Sequence, residues 1–377
     1  MSLKKQAFVL TLSVLSVFFS ATTFAADSTD RSERIWMLMK GYDDYDKTGQ
    51  KHNSMNIKSY GQPKTYPSTK FSDDRYRPLF DTPNNLAAVV VSKHEVVFER
   101  YNQDRNLDSS SAFNGMSMAK SAMSAVIGTL LCNGQIQSLS DPVKKYAPVL
   151  SNSPYSDISL KDVLQMRSGV SEKGRAGEGR LIASVLGLGK YDGQGSVVRT
   201  LLEFDHAATE PRSRFNYHQT DALVLSLVAE GASSKSVSDI FYSEIYSAFS
   251  DGGRIHWAAD NDGVTSTFSG LVMRGRDWAM LGQYILDQMR NESCLGNYFS
   301  DGIRNAVSTS EKDEDAKFGY MFWTKEFNGV PLLHFRGQGG QLLIIDTDTN
   351  TAIFISSINS NYPSGSIFSN LEAYLVR

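Results

Sequence analysis

Cysteine is almost absent from this chain: its 377 residues include only two, Cys132 and Cys294. A disulfide-dense scaffold is therefore excluded. In an oxidising compartment the two could pair, but Cys132 falls late in an apolar helical pattern, where a buried free thiol is equally ordinary. Histidine is scarce too, with six residues, and none shows metal-ligand spacing. With no zinc or dinucleotide fingerprint either, no metal or organic cofactor is expected. No run of Lys and Arg interleaved with aromatics occurs, which removes support for nucleic-acid binding. Internal repeats and low-complexity tracts are lacking as well.

What remains is an ordinary globular composition, 41% hydrophobic and 21% charged with a net charge of −3. The length suits one large domain or two intimately packed ones. The N-terminus reads as a secretory leader over residues 1–25. Lys4 and Lys5 form its charged region, residues 7–21 its apolar stretch, and Thr23-Phe24-Ala25 its small-x-small site before Ala26. The apolar stretch is short for a spanning helix of about 20 residues, and no cysteine follows it to carry a lipid. A periplasmic or secreted protein without a membrane anchor after cleavage is expected. Residues 26–80 are polar, rich in Tyr, Lys and Asp and punctuated by Pro63, Pro67 and Pro78. They read as an extended arm laid on a body formed by residues 81–377.

Within that body one run stands out, Phe113-Asn114-Gly115-Met116-Ser117-Met118-Ala119-Lys120-Ser121-Ala122. A serine hydroxyl is a poor nucleophile at its free pKa and needs a base within hydrogen-bond reach. If the run opens a helix, Ser117 and Lys120 lie one turn apart on one face and can touch. The unpaired N–H groups and positive dipole end of a helix start also favour a developing oxyanion. Small residues at Ala119, Ser121, Ala122, Ser124, Ala125 and Gly128 let such a helix pack deep in a core. Desolvation there lowers a lysine's pKa toward that of a base. The tetrapeptide alone fits a plain helix start equally well, and the same spacing at Ser2 and Lys5 carries no chemistry.

Its company is more specific. Downstream stand Gly134-Gln135-Ile136-Gln137-Ser138-Leu139-Ser140-Asp141-Pro142-Val143, then Ile158-Ser159-Leu160-Lys161-Asp162-Val163-Leu164-Gln165-Met166-Arg167-Ser168-Gly169-Val170. Pro211-Arg212-Ser213-Arg214-Phe215-Asn216-Tyr217-His218-Gln219-Thr220-Asp221-Ala222-Leu223 follows. From roughly Leu86 to the C-terminus this succession resembles the serine β-lactamase-like superfamily of class C β-lactamases, DD-peptidases, family VIII esterases and 6-aminohexanoate-dimer hydrolases. The resemblance implies an α+β fold, an antiparallel sheet covered by helices beside an all-α lobe (roughly residues 135–255), with the catalytic cleft between them.

It also implies roles. Tyr217-His218-Gln219 matches the family's Tyr-x-Asn, and a tyrosine near Ser and Lys can relay the nucleophile's proton to the leaving group. Taken bare, a tyrosine beside a proline-containing turn is also an ordinary half-buried packing residue. Gln219 replaces Asn and offers a substrate carbonyl an amide one methylene longer, while His218 takes the variable middle position and is left out of the mechanism. In His334-Phe335-Arg336-Gly337-Gln338-Gly339-Gly340-Gln341, Gly337 matches the glycine of the β-lactamase Lys-Thr-Gly, so Phe335 and Arg336 stand where Lys and Thr would. The physical need there is a backbone without bulk that presents an N–H to the substrate carbonyl. Gly337 and Gln338 meet it, the N–H groups of Gln338 and Ser117 forming the oxyanion hole. Arg336 is either a cation for a substrate carboxylate or a solvated strand-edge residue. Residues 266–282 resemble a further family segment, with Arg276-Asp277 read as a helix cap and Trp278 as packing.

The pattern predicts a hairpin over residues 86–101, helices over 116–132, 160–166, 196–202 and 221–230, a long loop over 174–194, and closing strands over 332–335, 341–346 and 351–357. Strands at both ends with helices between them give an α+β layer with a helical insertion. The functional expectation is a secreted serine hydrolase of a small ester or linear amide, similar to 6-aminohexanoate-dimer hydrolase and family VIII esterases. The alternative is a β-lactamase or penicillin-binding, DD-peptidase-like protein.

Overall fold

The computed structural model describes residues 56–62, 74–81, 84–172, 195–203, 206–208, 214–250, 252–309, 316–358 and 374–375. The expected leader, most of the arm and the loop expected at 174–194 lie outside the described residues. In chain order the first strands are β1 (Asn56–Tyr60), β2 (Asn85–Ser92), β3 (Glu95–Tyr101), β4 (Ala112–Asn114), β5 (Val170–Glu172) and β6 (His206–Ala208). Next come β7 (Ile255–Ala259), β8 (Leu271–Arg274), β9 (Val307–Ser308), β10 (Ala316–Phe318) and β11 (Trp323–Phe327). The last are β12 (Val330–Gly337), β13 (Gln341–Asp346) and β14 (Thr351–Ser357). The longer helices are α1 (Met118–Cys132), α2 (Leu160–Leu164), α3 (Val197–Glu203), α4 (Thr220–Ser233), α5 (Gly275–Arg290) and α6 (Cys294–Arg304).

Eight strands make one antiparallel sheet in the order β3-β2-β14-β13-β12-β11-β10-β9. Its central strands β2, β13 and β14 are near-continuous apolar runs because both faces are covered. One face packs on α5 and α1 in the main core. The other holds a smaller cluster of Val90, Ile344, Ile353 and Ile355, closed by Tyr76, Leu79 and Tyr374. Lys93 and His94 turn the β2–β3 hairpin with φ of 51° and 71°, matching the positive dihedrals of a tight type I′ turn. The mixed fold is thus the expected α+β arrangement of antiparallel sheet and covering helices, and the lobe expected to be all-α is helical apart from the short antiparallel pair β5–β6.

Helix α1 is apolar or small on every side and buried almost throughout, as expected of a helix at the centre of a domain. It packs against α4 in the lobe and α6 beside the sheet. Ser124 Oγ lies 3.0 Å from the Tyr298 hydroxyl on α6, and a Cys132–Cys294 disulfide joins the same two helices. Both cysteines are therefore committed, which settles the choice between thiols and a bridge.

The sequence pattern does not announce a second sheet, β1-β7-β8-β4. Part of the expected arm is built into it: residues 56–60 form β1 and pair with β7. The Tyr60 hydroxyl donates to Asp239 Oδ1 at 2.7 Å and to Ser238 Oγ at 2.9 Å. Arg276-Asp277 does not cap α5. Arg274 occupies the cap position, and Asp277, in the first turn, instead accepts from Arg274 Nε at 2.7 Å and the Tyr246 hydroxyl at 2.8 Å. Burial makes that ion pair the stronger demand on the carboxylate. Arg276 pairs with Glu99 across to β3.

Glu230 on α4 faces the β1 corner. Burial pushes its carboxyl up to about 7, against the pull of the Thr265 backbone N–H and of Lys58. The fold therefore holds this proton more tightly than the unfolded chain, whose carboxyl titrates near 4.5. Stability should fall as pH rises from about 4.5 to about 7 and level off above, by up to about 3 kcal/mol. Glu230→Gln should remove that fall, leaving the variant more stable than wild type near pH 8. Urea-unfolding midpoints at about pH 4 and pH 8 check this; equal pH dependence in both proteins would refute it.

Candidate active site

The site is assembled where β4 runs into α1. Gly115 N–H bonds to the Leu271 carbonyl of β8 at 2.9 Å, and Met116 then takes φ of 51°, unusual for a residue with a side chain. Asn114 Oδ1 secures this turn by accepting from the Met116 N–H at 2.9 Å. A strained residue beside a functional group is where such a cost is commonly found. Ser117 follows at the helix cap, the single partly exposed residue in the otherwise buried run 113–120.

Lys120 lies one turn on, with 1% of its surface exposed. Its Nζ is 3.1 Å from Ser117 Oγ and 3.0 Å from the Phe268 carbonyl. The same Nζ stands 5.0 Å from the centroid of the Tyr217 ring. Ser117, Lys120 and Tyr217 are therefore one cluster, drawn from α1 and from the segment that enters α4. Chemically, an amine at this distance can receive the hydroxyl proton when neutral.

The end of β12 closes the site. A Cβ on Gly337 would stand 2.2 Å from the Gly115 carbonyl oxygen and 3.1 Å from Met116 Cβ. Only glycine allows β12 to lie this close to the Gly115–Met116 turn, and Gln338 is the next residue along. Phe335, two residues back on the same face, is a core side chain with 0% exposure. Arg336 points to the other face. It is partly exposed, and its guanidinium carbon stands 5.0 Å from the Trp323 ring centroid. Register explains the contact: Trp323 on β11 pairs with His334, so Arg336 is its diagonal neighbour. Trp323 stacks on Tyr217 at 5.8 Å, within an aromatic wall that also includes Phe215 and Phe318. His334 is fully buried, and that burial, with Arg336 nearby, holds its imidazole well below its ordinary pKa and hence neutral. Gln219 is buried at 3% exposure at the cap position of α4, where its side chain makes no cap bond.

Three contributors were invisible in sequence. Phe268 acts through a carbonyl, which no side chain signals, although its segment resembled a family motif. Asn114 works only because Met116 adopts a left-handed turn. Trp323 reaches the site through strand register alone. Among the described residues no group of His, Cys, Asp and Glu could hold a metal ion.

A serine thus stands at a helix start, with a buried amine beside it and the end of an interior strand of the antiparallel sheet across from it. The chain belongs to the Beta-lactamase family, whose family model matches residues 81–373. A protein of Bacillus anthracis assigned as a 6-aminohexanoate-dimer hydrolase has a similar structure, with a TM-score of 0.72, 20% identity, and 90% of this chain and 92% of that one covered. A family VIII carboxylesterase gives a TM-score of 0.63 at 13% identity, covering 81% and 98%. A D-stereospecific amidohydrolase from Streptomyces sp. gives 0.59 at 14%, covering 79% and 97%. At these identities the likeness carries the fold. No curated protein sequence matches the chain.

Gly337→Ala should drive β12 from the nucleophile turn, costing about 1–3 kcal/mol as other overpacking does, and slow covalent labelling of Ser117 by a fluorophosphonate. Paired unfolding and labelling measurements check it; a variant as stable and as reactive as wild type would show that the seam yields.

Proposed function

We propose that this protein hydrolyses a small ester or linear amide through an acyl-enzyme on Ser117. The observation that carries the reading is the 3.1 Å contact between Lys120 Nζ and Ser117 Oγ at the start of a buried helix. In the proposed reaction the Ser117 hydroxyl proton passes to Lys120, with Tyr217, as Oγ attacks the substrate carbonyl carbon. The resulting oxyanion rests on the N–H groups of Ser117 and Gln338. Its collapse breaks the bond to the leaving group, which takes the proton from Tyr217 or Lys120. Water then attacks the acyl-enzyme, the same groups accept its proton and pass it to Ser117 Oγ as the C–Oγ bond breaks, and the acid and free Ser117 are released.

Ester or linear-amide cleavage is favoured over β-lactam hydrolysis by Phe335. Where β-lactamases hold the lysine of Lys-Thr-Gly, this chain has a phenyl ring sealed in the core. A charged contact to a carboxylate contributes roughly 1.5–3 kcal/mol, and its loss lowers kcat/KM for a β-lactam by about one to two decades. Arg336, on its Trp323 platform, offers a cation to a substrate carboxylate. The likeness to an assigned 6-aminohexanoate-dimer hydrolase and to a family VIII carboxylesterase points the same way.

Ser117→Ala should abolish fluorophosphonate labelling and turnover. Lys120→Ala should lower kcat by at least about 10²-fold, the lower end for a positioned acid–base group. A panel of p-nitrophenyl esters, linear amides and nitrocefin decides the substrate class. Labelling that survives Ser117→Ala removes the nucleophile assignment, and a nitrocefin kcat/KM about tenfold above that of the best ester promotes the β-lactamase reading.

We further propose export from the cytoplasm with removal of residues 1–25, a reading supported by the Cys132–Cys294 disulfide. N-terminal sequencing of the exported protein should begin at Ala26; a chain starting at Met1 in the membrane fraction would overturn it.

A further inference from the structure

Beside Tyr217 lies a buried polar group that the proposed chemistry does not use. His218 Nε2 is 3.2 Å from Asp221 Oδ2, with side-chain exposures of 5% and 0%. The other carboxylate oxygen of Asp221 accepts from the Tyr155 hydroxyl at 2.8 Å, and that hydroxyl also lies 3.3 Å from the Val170 carbonyl. Ser168 fixes Val170 in turn, its Oγ bonding to the Val170 carbonyl and N–H at 3.1 Å each. On the other side of Tyr217, Asn216 N–H donates to the Met166 carbonyl at 2.9 Å. The tyrosine is thus suspended between two anchors. One is a backbone bond to the turn after α2, and the other is a side-chain network reaching from the first turn of α4 to the loop that holds Tyr155.

We propose that His218, Asp221 and Tyr155 are positioning residues that hold Tyr217 against Lys120 and thereby set how fast Ser117 is acylated. The inference rests on the hydrolase reading of Ser117. Its physical basis is the cost of the arrangement. A carboxylate wholly removed from water is expensive, and replacing a buried ion pair by apolar residues is often neutral or stabilising. Net stability is therefore a weak reason for this network, whereas a fixed geometry is a use that such groups are known to serve. The geometry being fixed is that of the residue adjacent to His218. Asp221 suits the purpose, because the first turn of α4 favours a negative charge. Its two oxygens face two partners, His218 next to Tyr217 and Tyr155 on another segment.

The test is a cycle between Asp221→Asn and Tyr217→Phe, read as the rate of Ser117 labelling by a fluorophosphonate and as kcat and KM for a p-nitrophenyl ester. Asp221→Asn keeps the shape but removes the charge. It should slow labelling and lower kcat by about tenfold while leaving KM within about twofold. In the Tyr217→Phe background the same substitution should change either rate by less than about twofold, because the group it positions has already lost its oxygen. Multiplicative losses in the double variant, or Asp221→Asn with wild-type labelling and kcat, would overturn the proposal. Should Asp221→Asn fail to fold, Tyr155→Phe removes a single O–H donor and must show the same dependence on Tyr217. Wild-type protein that does not label at Ser117 would instead defeat the hydrolase reading itself.

Discussion

An amine with almost no access to water governs how the rest of this molecule is arranged. Lys120 is taken out of solvent with its nitrogen, and a buried ammonium or amine must find partners inside the fold. It finds them in Ser117 Oγ, one helical turn back, and in the Phe268 carbonyl from the segment joining β7 to β8. The Tyr217 ring supplies an aromatic face 5.0 Å away. Each partner comes from a different part of the chain. Satisfying one nitrogen therefore fixes α1, the small sheet and the entry to α4 relative to one another.

The sheet joins this assembly at one seam. β12 ends against the Gly115–Met116 turn with no room for a methyl group, which is why Gly337 sits there. Behind the turn the Trp278 ring occupies the space that a Gly115 side chain would need, and its Nε1 donates to the Phe113 carbonyl at 3.0 Å. The turn before Ser117 is thus clamped front and back by elements that belong to the sheet and to α5. Strain at Met116 is affordable in such a setting, because the surroundings over-determine its conformation.

Much of this was legible from the residues. Helix α1 showed in its small, apolar run, the β2–β3 hairpin in two β-branched stretches about a four-residue turn, and the closing strands in their continuous hydrophobicity. The Ser117–Lys120 contact followed from helical spacing. What could not be read depends on backbone or on register. The Phe268 carbonyl has no side-chain signature, and Trp323 meets Arg336 only because β11 and β12 pair as they do. The small sheet was hidden because its strands are short and lie far apart in the chain, β1 falling inside a polar segment that reads as an arm. Arg276-Asp277 misled for a related reason. A buried arginine at position 274 outbid the helix end for the carboxylate, and only tertiary structure reveals that burial.

The exchange of residues at the end of β12 also moves a cation from one face of the strand to the other. Alternation along a strand sends neighbours to opposite faces. A lysine at position 335 would share the face of Gly337, which lies against the Gly115–Met116 turn, where this chain has a phenyl ring packed into the core. The cation moves one residue on and therefore to the other face, where it sits on Trp323 and next to the aromatic wall of Phe215, Tyr217 and Phe318. A planar guanidinium on an aromatic platform keeps its hydrogen-bonding fork oriented, as a flexible ammonium would not.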